Sequence, residues 1–140
     1  MNLRFTVALA LTLLLAGISF AASDKKKHSF GFKEYDAFHD VLHPLEHEAL
    51  PKGDFAKIRS DAKELIKRGN AIVKLGVPRG MKTENVEEFK KQLDEFAKAL
   101  VKFNGDAESG SDADLKTSYS AVHDLFEELA RMLPRKGKQG

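Results

Sequence analysis

Apolar residues recur at alternating spacings of three and four along four stretches of the chain, which is the period of an amphipathic α-helix. The first stretch runs from about Lys33 to Leu50. The second begins after Asp54, a predicted N-cap, and ends before Gly76. No stretch shows the strict alternation of a β-strand, so the pattern predicts an all-α protein.

The same spacing continues in the C-terminal half. A third helix is predicted after Thr83 as its N-cap, and a fourth opens after Ser111 and ends at Pro134. Four amphipathic helices joined by short connections pack most simply as an antiparallel, up-down-up-down four-helix bundle, here over residues 33–134. Its predicted core consists of Phe38, Val41, Leu42, Leu45, Ala49, Ile58, Ala62, Leu65, Ile66, Ile72, Val73, Val86, Phe89, Leu93, Phe96, Leu100, Phe103, Leu115, Tyr119, Val122, Phe126, Leu129 and Leu133.

The N-terminus has the pattern of a cleaved signal peptide. Arg4 precedes an apolar run from Phe5 to Ile18 that is too short to cross a bilayer. We therefore assign residues 1–21 to the signal peptide and the mature start to Ala22. This predicts a periplasmic or secreted protein with no membrane segment in its mature form.

Charge and cysteine content narrow the function classes. The chain has 23 Lys and Arg against 21 Asp and Glu, a formal net charge of +2, and the two signs alternate along it. Residues 22–32 are predicted to form a flexible N-terminal segment and 135–140 a basic tail, and neither is long enough to suggest a nucleic-acid surface. Because there is no cysteine, disulfides, iron–sulfur clusters and thiolate metal sites are excluded.

Histidine is the most informative residue type. His39, His43 and His47 recur every four residues, so on an α-helix each imidazole is turned by about 40° from the previous one. Such a row can offer two or three nitrogens to a metal ion. Asp36 and Asp40 each precede a histidine by three residues and can orient its ring. The row lies away from the apolar face, however, so a solvated helix surface that carries histidines is the alternative.

Two features modify this prediction. Pro44 lies inside the row and is expected to kink the helix and to swing its later part. On the fourth helix His123 follows the core residue Val122, and it can face His39 if the first and fourth helices are neighbours. Alone, it is more typical of a packed core-edge residue. His28 lies in the N-terminal segment and is left outside the site.

The fourth helix resembles a known family. Its sequence LKTSYSAVHDLF is similar to the C-terminal helix of the cytochrome c′ family, in which two cysteines and a histidine attach and ligate haem. His123 matches the ligand histidine, whereas Tyr119 and Val122 occupy the positions of the two cysteines, so covalent haem is excluded. The likeness extends to the helix order, the connection at residues 51–54 and a turn at 105–106 before the fourth helix. It implies that His39 lies near the distal face of a former haem pocket.

Three functions follow from the histidines and the resemblance. In the first, the bundle has exchanged haem for a copper or zinc ion bound by His39, His43, His47 and His123, for sequestration, delivery or sensing of the metal. In the second, haem is held noncovalently between His39 and His123, as in the b-type four-helix cytochromes, and the protein carries electrons. In the third, a haem-free bundle binds a partner protein. The resemblance also admits a homodimer.

Enzymatic functions are disfavoured by the motifs. A di-iron bundle needs paired Glu-x-x-His motifs, and the sequence contains none. The dipeptide His47-Glu48 lacks the second histidine of a zinc-protease helix. The protein is therefore predicted not to be an enzyme.

Overall fold

The computed structural model describes residues 28–135, so the predicted signal peptide and most of the predicted basic tail lie outside the described residues. Within that range the structure is all-helical and contains no strand, which confirms the predicted class. The helices, in chain order, are α1 (Lys33–Pro44), a π-helical turn (Leu45–Ala49), α2 (Phe55–Leu75), α3 (Thr83–Ser109) and α4 (Asp112–Met132).

Two of the predicted N-caps are confirmed and one is wrong. Asp54 accepts the Lys57 N–H at 3.0 Å and starts α2, and Ser111 forms a reciprocal capping box with Asp114 at the start of α4. Thr83, however, is the first residue of the helix. The N-cap position is occupied by Lys82, which is extended and makes no side-chain cap. The third helix therefore begins one residue earlier than its sequence pattern predicts.

The predicted turn at residues 105–106 is also wrong, because α3 continues through it to Ser109. Arg59 of α2 stabilises this extension, since its guanidinium donates hydrogen bonds to the carbonyl oxygens of Asp106 and Ala107 at 2.9 and 3.1 Å. A glycine inside a helix is less favourable than alanine by about 1 kcal/mol. At Gly105 the charge-assisted hydrogen bonds from Arg59 offset this cost.

The predicted disturbance at Pro44 takes the form of the π-helical turn. Proline brings no N–H to the helix, and the Leu50 N–H donates to the Leu45 carbonyl, five residues back, at 2.8 Å. Leu45 and Ala49 nevertheless remain buried in the core. The chain therefore accommodates the proline by widening one turn while keeping its apolar face inward.

The core closely follows the predicted apolar stripes. Seven of its largest fully buried side chains are aromatic, and they are Tyr35, Tyr119, Phe38, Phe89, Phe96, Phe103 and Phe126. Tyr35 is an addition to the predicted set. Four predicted core residues are only partly buried: Val41, Ile66 and Val73, which pack against the edge of the core, and Val86.

The helices that are consecutive along the chain form the closest pairs of backbones. Helices α1 and α4 meet mainly through large side chains: the ring centroids of Phe38 and Phe126 are 4.7 Å apart, and the Tyr119 hydroxyl donates to the Leu42 carbonyl at 3.3 Å. No helix in the described part of the chain combines the length and the apolar character that crossing a bilayer requires.

Candidate metal-binding site

The three histidines of α1 and the π-helical turn form one continuous row on the protein surface. The ring centroids of His39 and His43 are 5.2 Å apart, and those of His43 and His47 are 4.3 Å apart. His39 is partly buried, whereas His43 and His47 are exposed. We call these three residues the histidine row.

These spacings suit pairwise chelation. Two imidazoles that bind one ion at metal–nitrogen distances of about 2.0–2.1 Å have ring centroids about 4.5–5.5 Å apart. The two adjacent pairs of the row lie at or close to this range. The centroid distances of both pairs are thus compatible with two imidazoles that share one ion.

The π-helical turn brings the second pair closer together than the first. On an α-helix His47 would be turned by about 40° from His43. A π-helical turn holds more residues than an α-helical turn, so four residues advance by a smaller total angle. The His43 and His47 rings are correspondingly closer, at 4.3 Å, than the His39 and His43 rings, at 5.2 Å.

The environment of His39 favours its neutral form. Burial lowers the pKa of His39, and the nearby imidazoles of His43 and His28 lower it further, while Glu127 and Asp40 act weakly in the opposite direction. A neutral imidazole is the form that binds metal. His39 therefore presents a ligand nitrogen at neutral pH with little competition from protons.

His28, in the segment before α1, lies beside the row but farther from His39 than a shared ion allows. Asp36 accepts hydrogen bonds from the Phe30 N–H at 2.7 Å and from the Ser29 hydroxyl at 2.9 Å, which fixes residues 28–32 against the helix. The ring centroid of His28 then lies 6.4 Å from that of His39. Asp36 thus positions the chain before α1, and the sequence pattern gives no signal of this because the contact spans irregular structure.

His123 has a polar contact with its neighbour on α4. Its Nδ1 lies 3.2 Å from the Asp124 carboxylate, and the ring contacts of residues 28–135 link it to none of the three row histidines. The α4 residue whose charge acts on His39 is Glu127, one turn beyond His123.

The space between α1 and α4 is filled by aromatic side chains. Phe126 packs against Phe38 and Tyr35, with centroid distances of 4.7 and 5.9 Å, and Tyr119 and Val122 are fully buried. A haem between His39 and His123 would have to displace these rings, at a cost of several kcal/mol for each large side chain removed from the core.

The predicted ligands do not form one complete metal site. Among residues 28–135, no set of three or more His, Cys, Asp or Glu side chains is arranged to hold an ion. The predicted four-histidine set is therefore not assembled at a single point. Within the row, only adjacent histidines lie close to one another.

Comparisons of the chain with protein-family models, with curated proteins and with solved structures find no match.

Proposed function

We propose that the protein binds a divalent transition metal, copper or zinc, through neighbouring imidazoles of the histidine row. The observation that carries the proposal is the pair of short centroid distances, 5.2 Å for His39 and His43 and 4.3 Å for His43 and His47. Imidazole ligands without a thiolate suit Cu(II) and Zn(II), and the chain has no cysteine.

His43 is the central ligand, because it belongs to both pairs. Without it, His39 and His47 are eight residues apart, which corresponds to about 12 Å along a helix. That distance is too long for a shared ion. The two remaining imidazoles would then act as separate, weak ligands.

The accessible position of the row supports a role in sequestering, delivering or sensing the metal in the periplasm, after export directed by residues 1–21. An exposed pair of ligands lets a hydrated ion enter and leave without an opening of the core. The two-residue connection between α3 and α4 favours the antiparallel arrangement of a cytochrome c′-like bundle, which belongs to the same proposal.

The test is a titration of the metal-free protein, without its signal peptide, with copper or zinc at pH 7.5. Isothermal calorimetry measures the affinity. We expect His43→Ala to weaken copper or zinc binding at least about tenfold, and His28→Ala to change it by less than about threefold. Equal effects of the two variants would overturn the site.

An absorbance scan and elemental analysis of protein isolated from a periplasm separate the remaining alternatives. Bound copper or zinc without a Soret band supports the proposal. An intense Soret band would instead support noncovalent haem between His39 and His123. The absence of both bound metal and a Soret band would favour the haem-free bundle that binds a partner protein.

A further inference from the structure

We propose that a second copy of the chain completes the metal site, so that one ion bridges the His43–His47 pairs of two copies and makes a metal-dependent homodimer. This inference rests on the proposed function and specifies the partner and the stoichiometry. The pair is chosen because both of its rings are exposed, with centroids 4.3 Å apart, whereas His39 of the other pair is partly buried.

One His43–His47 pair does not supply enough ligands for an ion. A protein-bound zinc ion takes four ligands in tetrahedral geometry. The His43–His47 pair supplies two, and the described part of the chain assembles no set of three or more. An ion on one copy therefore keeps open positions, which only water or another molecule can fill.

Two-fold symmetry about the ion would supply the missing ligands. A two-fold axis through the ion places an identical pair on the opposite side, and the same patch then serves both copies. Four imidazoles from two such pairs make a complete tetrahedral set. Because His43 and His47 are four residues apart and both exposed, both ligand nitrogens of each copy come from one short segment, which needs little surface to approach the axis.

The chain around the histidine row is acidic. Between Lys33 and Lys52 the chain has no lysine or arginine but carries five carboxylates, those of Glu34, Asp36, Asp40, Glu46 and Glu48. Asp40 and Glu46 are three residues from His43, so two copies that meet at His43 bring like charges together. A divalent cation between them offsets that repulsion, so association is expected only when the ion is present.

The experiment measures mass and metal stoichiometry together. Protein without its signal peptide is studied at pH 7.5 by analytical ultracentrifugation while zinc sulfate is added, starting from an EDTA-treated sample. We expect monomer in EDTA, dimer at one zinc per two chains, and a return to monomer when excess zinc gives each copy its own ion.

Matched variants locate the interface. His43→Ala and His47→Ala are expected to remain monomeric at every zinc concentration, whereas His28→Ala should dimerise like the unsubstituted protein. Dimer that persists in EDTA, or that survives both row substitutions, would overturn the inference.

Calorimetry distinguishes failure of the metal-bridged dimer from failure of the proposed metal-binding function. Tight binding of one zinc per monomeric chain would refute the bridged dimer while leaving the metal site intact. Absence of zinc and copper binding would refute both.

Discussion

The imidazole ring of His39 lies against the phenyl ring of Phe126, with the centroids 6.3 Å apart and the ring planes inclined by 26°. Phe126 is fully buried and also contacts Phe38. One end of the histidine row is thus fixed to the core, while the other end, at His47, lies on the surface. A histidine so placed couples its own protonation to the stability of the fold.

The first prediction concerns stability and pH in the metal-free protein. The folded state lowers the pKa of His39 from its ordinary value of 6.5, mainly through burial, so the unfolded chain binds a proton more readily. The stabilisation is present above about pH 6.5 and is lost as the pH falls through the lower pKa of the folded state. Urea unfolding in EDTA should give a smaller free energy of unfolding at pH 5.5 than at pH 7.5.

His39→Gln is the control for this effect, because glutamine keeps a polar side chain of similar size but does not titrate. The variant should show a shallower dependence of stability on pH over the same range. An identical slope for the variant and the unsubstituted protein would show that His39 does not contribute to it.

The second prediction concerns metal binding and pH. Imidazoles that are protonated below about pH 6 are no longer ligands, so the affinity for copper or zinc must fall between pH 7.5 and pH 5. Competition titration against a chelator of known affinity measures this change. Binding of equal strength at both pH values would contradict ligation by the histidine row.

The sequence predicts the fold well because each helix buries a stripe with clear periodicity. It also identifies the histidine row, since its spacing is local. It fails at Gly105, where a glycine has the appearance of a turn but the distant Arg59 supports a helix. It also fails to place His28, whose position depends on the hydrogen bond between the Phe30 N–H and Asp36. Contacts between separate elements leave no periodic signal.

The third prediction contrasts two helical glycines. A Cβ at Gly69 would lie 2.7 Å from the Leu100 methyl carbons and 3.2 Å from a ring carbon of Phe38. Gly69→Ala should therefore overpack the core and destabilise the protein by about 1–3 kcal/mol. At Gly105 nothing lies within 4 Å of the added atom, so Gly105→Ala should stabilise it by up to about 1 kcal/mol.

Chemical unfolding followed by circular dichroism measures both changes. The opposite signs are the essential result. Stabilisation by Gly69→Ala would mean that the Leu100 methyl groups can move aside without loss of packing.

The fourth prediction concerns the guanidinium of Arg59, which ties the end of α3 to the start of α4. Besides its bonds to α3 it donates to the Gly110 carbonyl at 2.9 Å and to the Asp112 carboxylate at 3.0 Å. Arg59→Met removes these donors from the carbonyl groups at the helix end and should lower the free energy of unfolding by about 2 kcal/mol. Arg131→Met, which breaks only an exposed ion pair with Glu128, should change it by less than about 0.5 kcal/mol.

The last prediction separates two buried tyrosines by their hydroxyl groups. The Tyr119 hydroxyl donates to the Leu42 carbonyl, whereas the Tyr35 hydroxyl is buried without a hydrogen-bond partner among the described residues. Burial raises the pKa of both side chains, so each hydroxyl is neutral and acts as a donor.

Tyr119→Phe should therefore destabilise the protein by about 1 kcal/mol, because it breaks the direct link between α4 and α1. Tyr35→Phe removes a desolvated group that gains nothing in the folded state, so it should be neutral or slightly stabilising. Thermal and urea unfolding of the two variants, side by side, measures the difference. A loss of about 1 kcal/mol or more in Tyr35→Phe would show that its hydroxyl binds a buried water molecule, and would place a polar site inside the aromatic core beside Phe126.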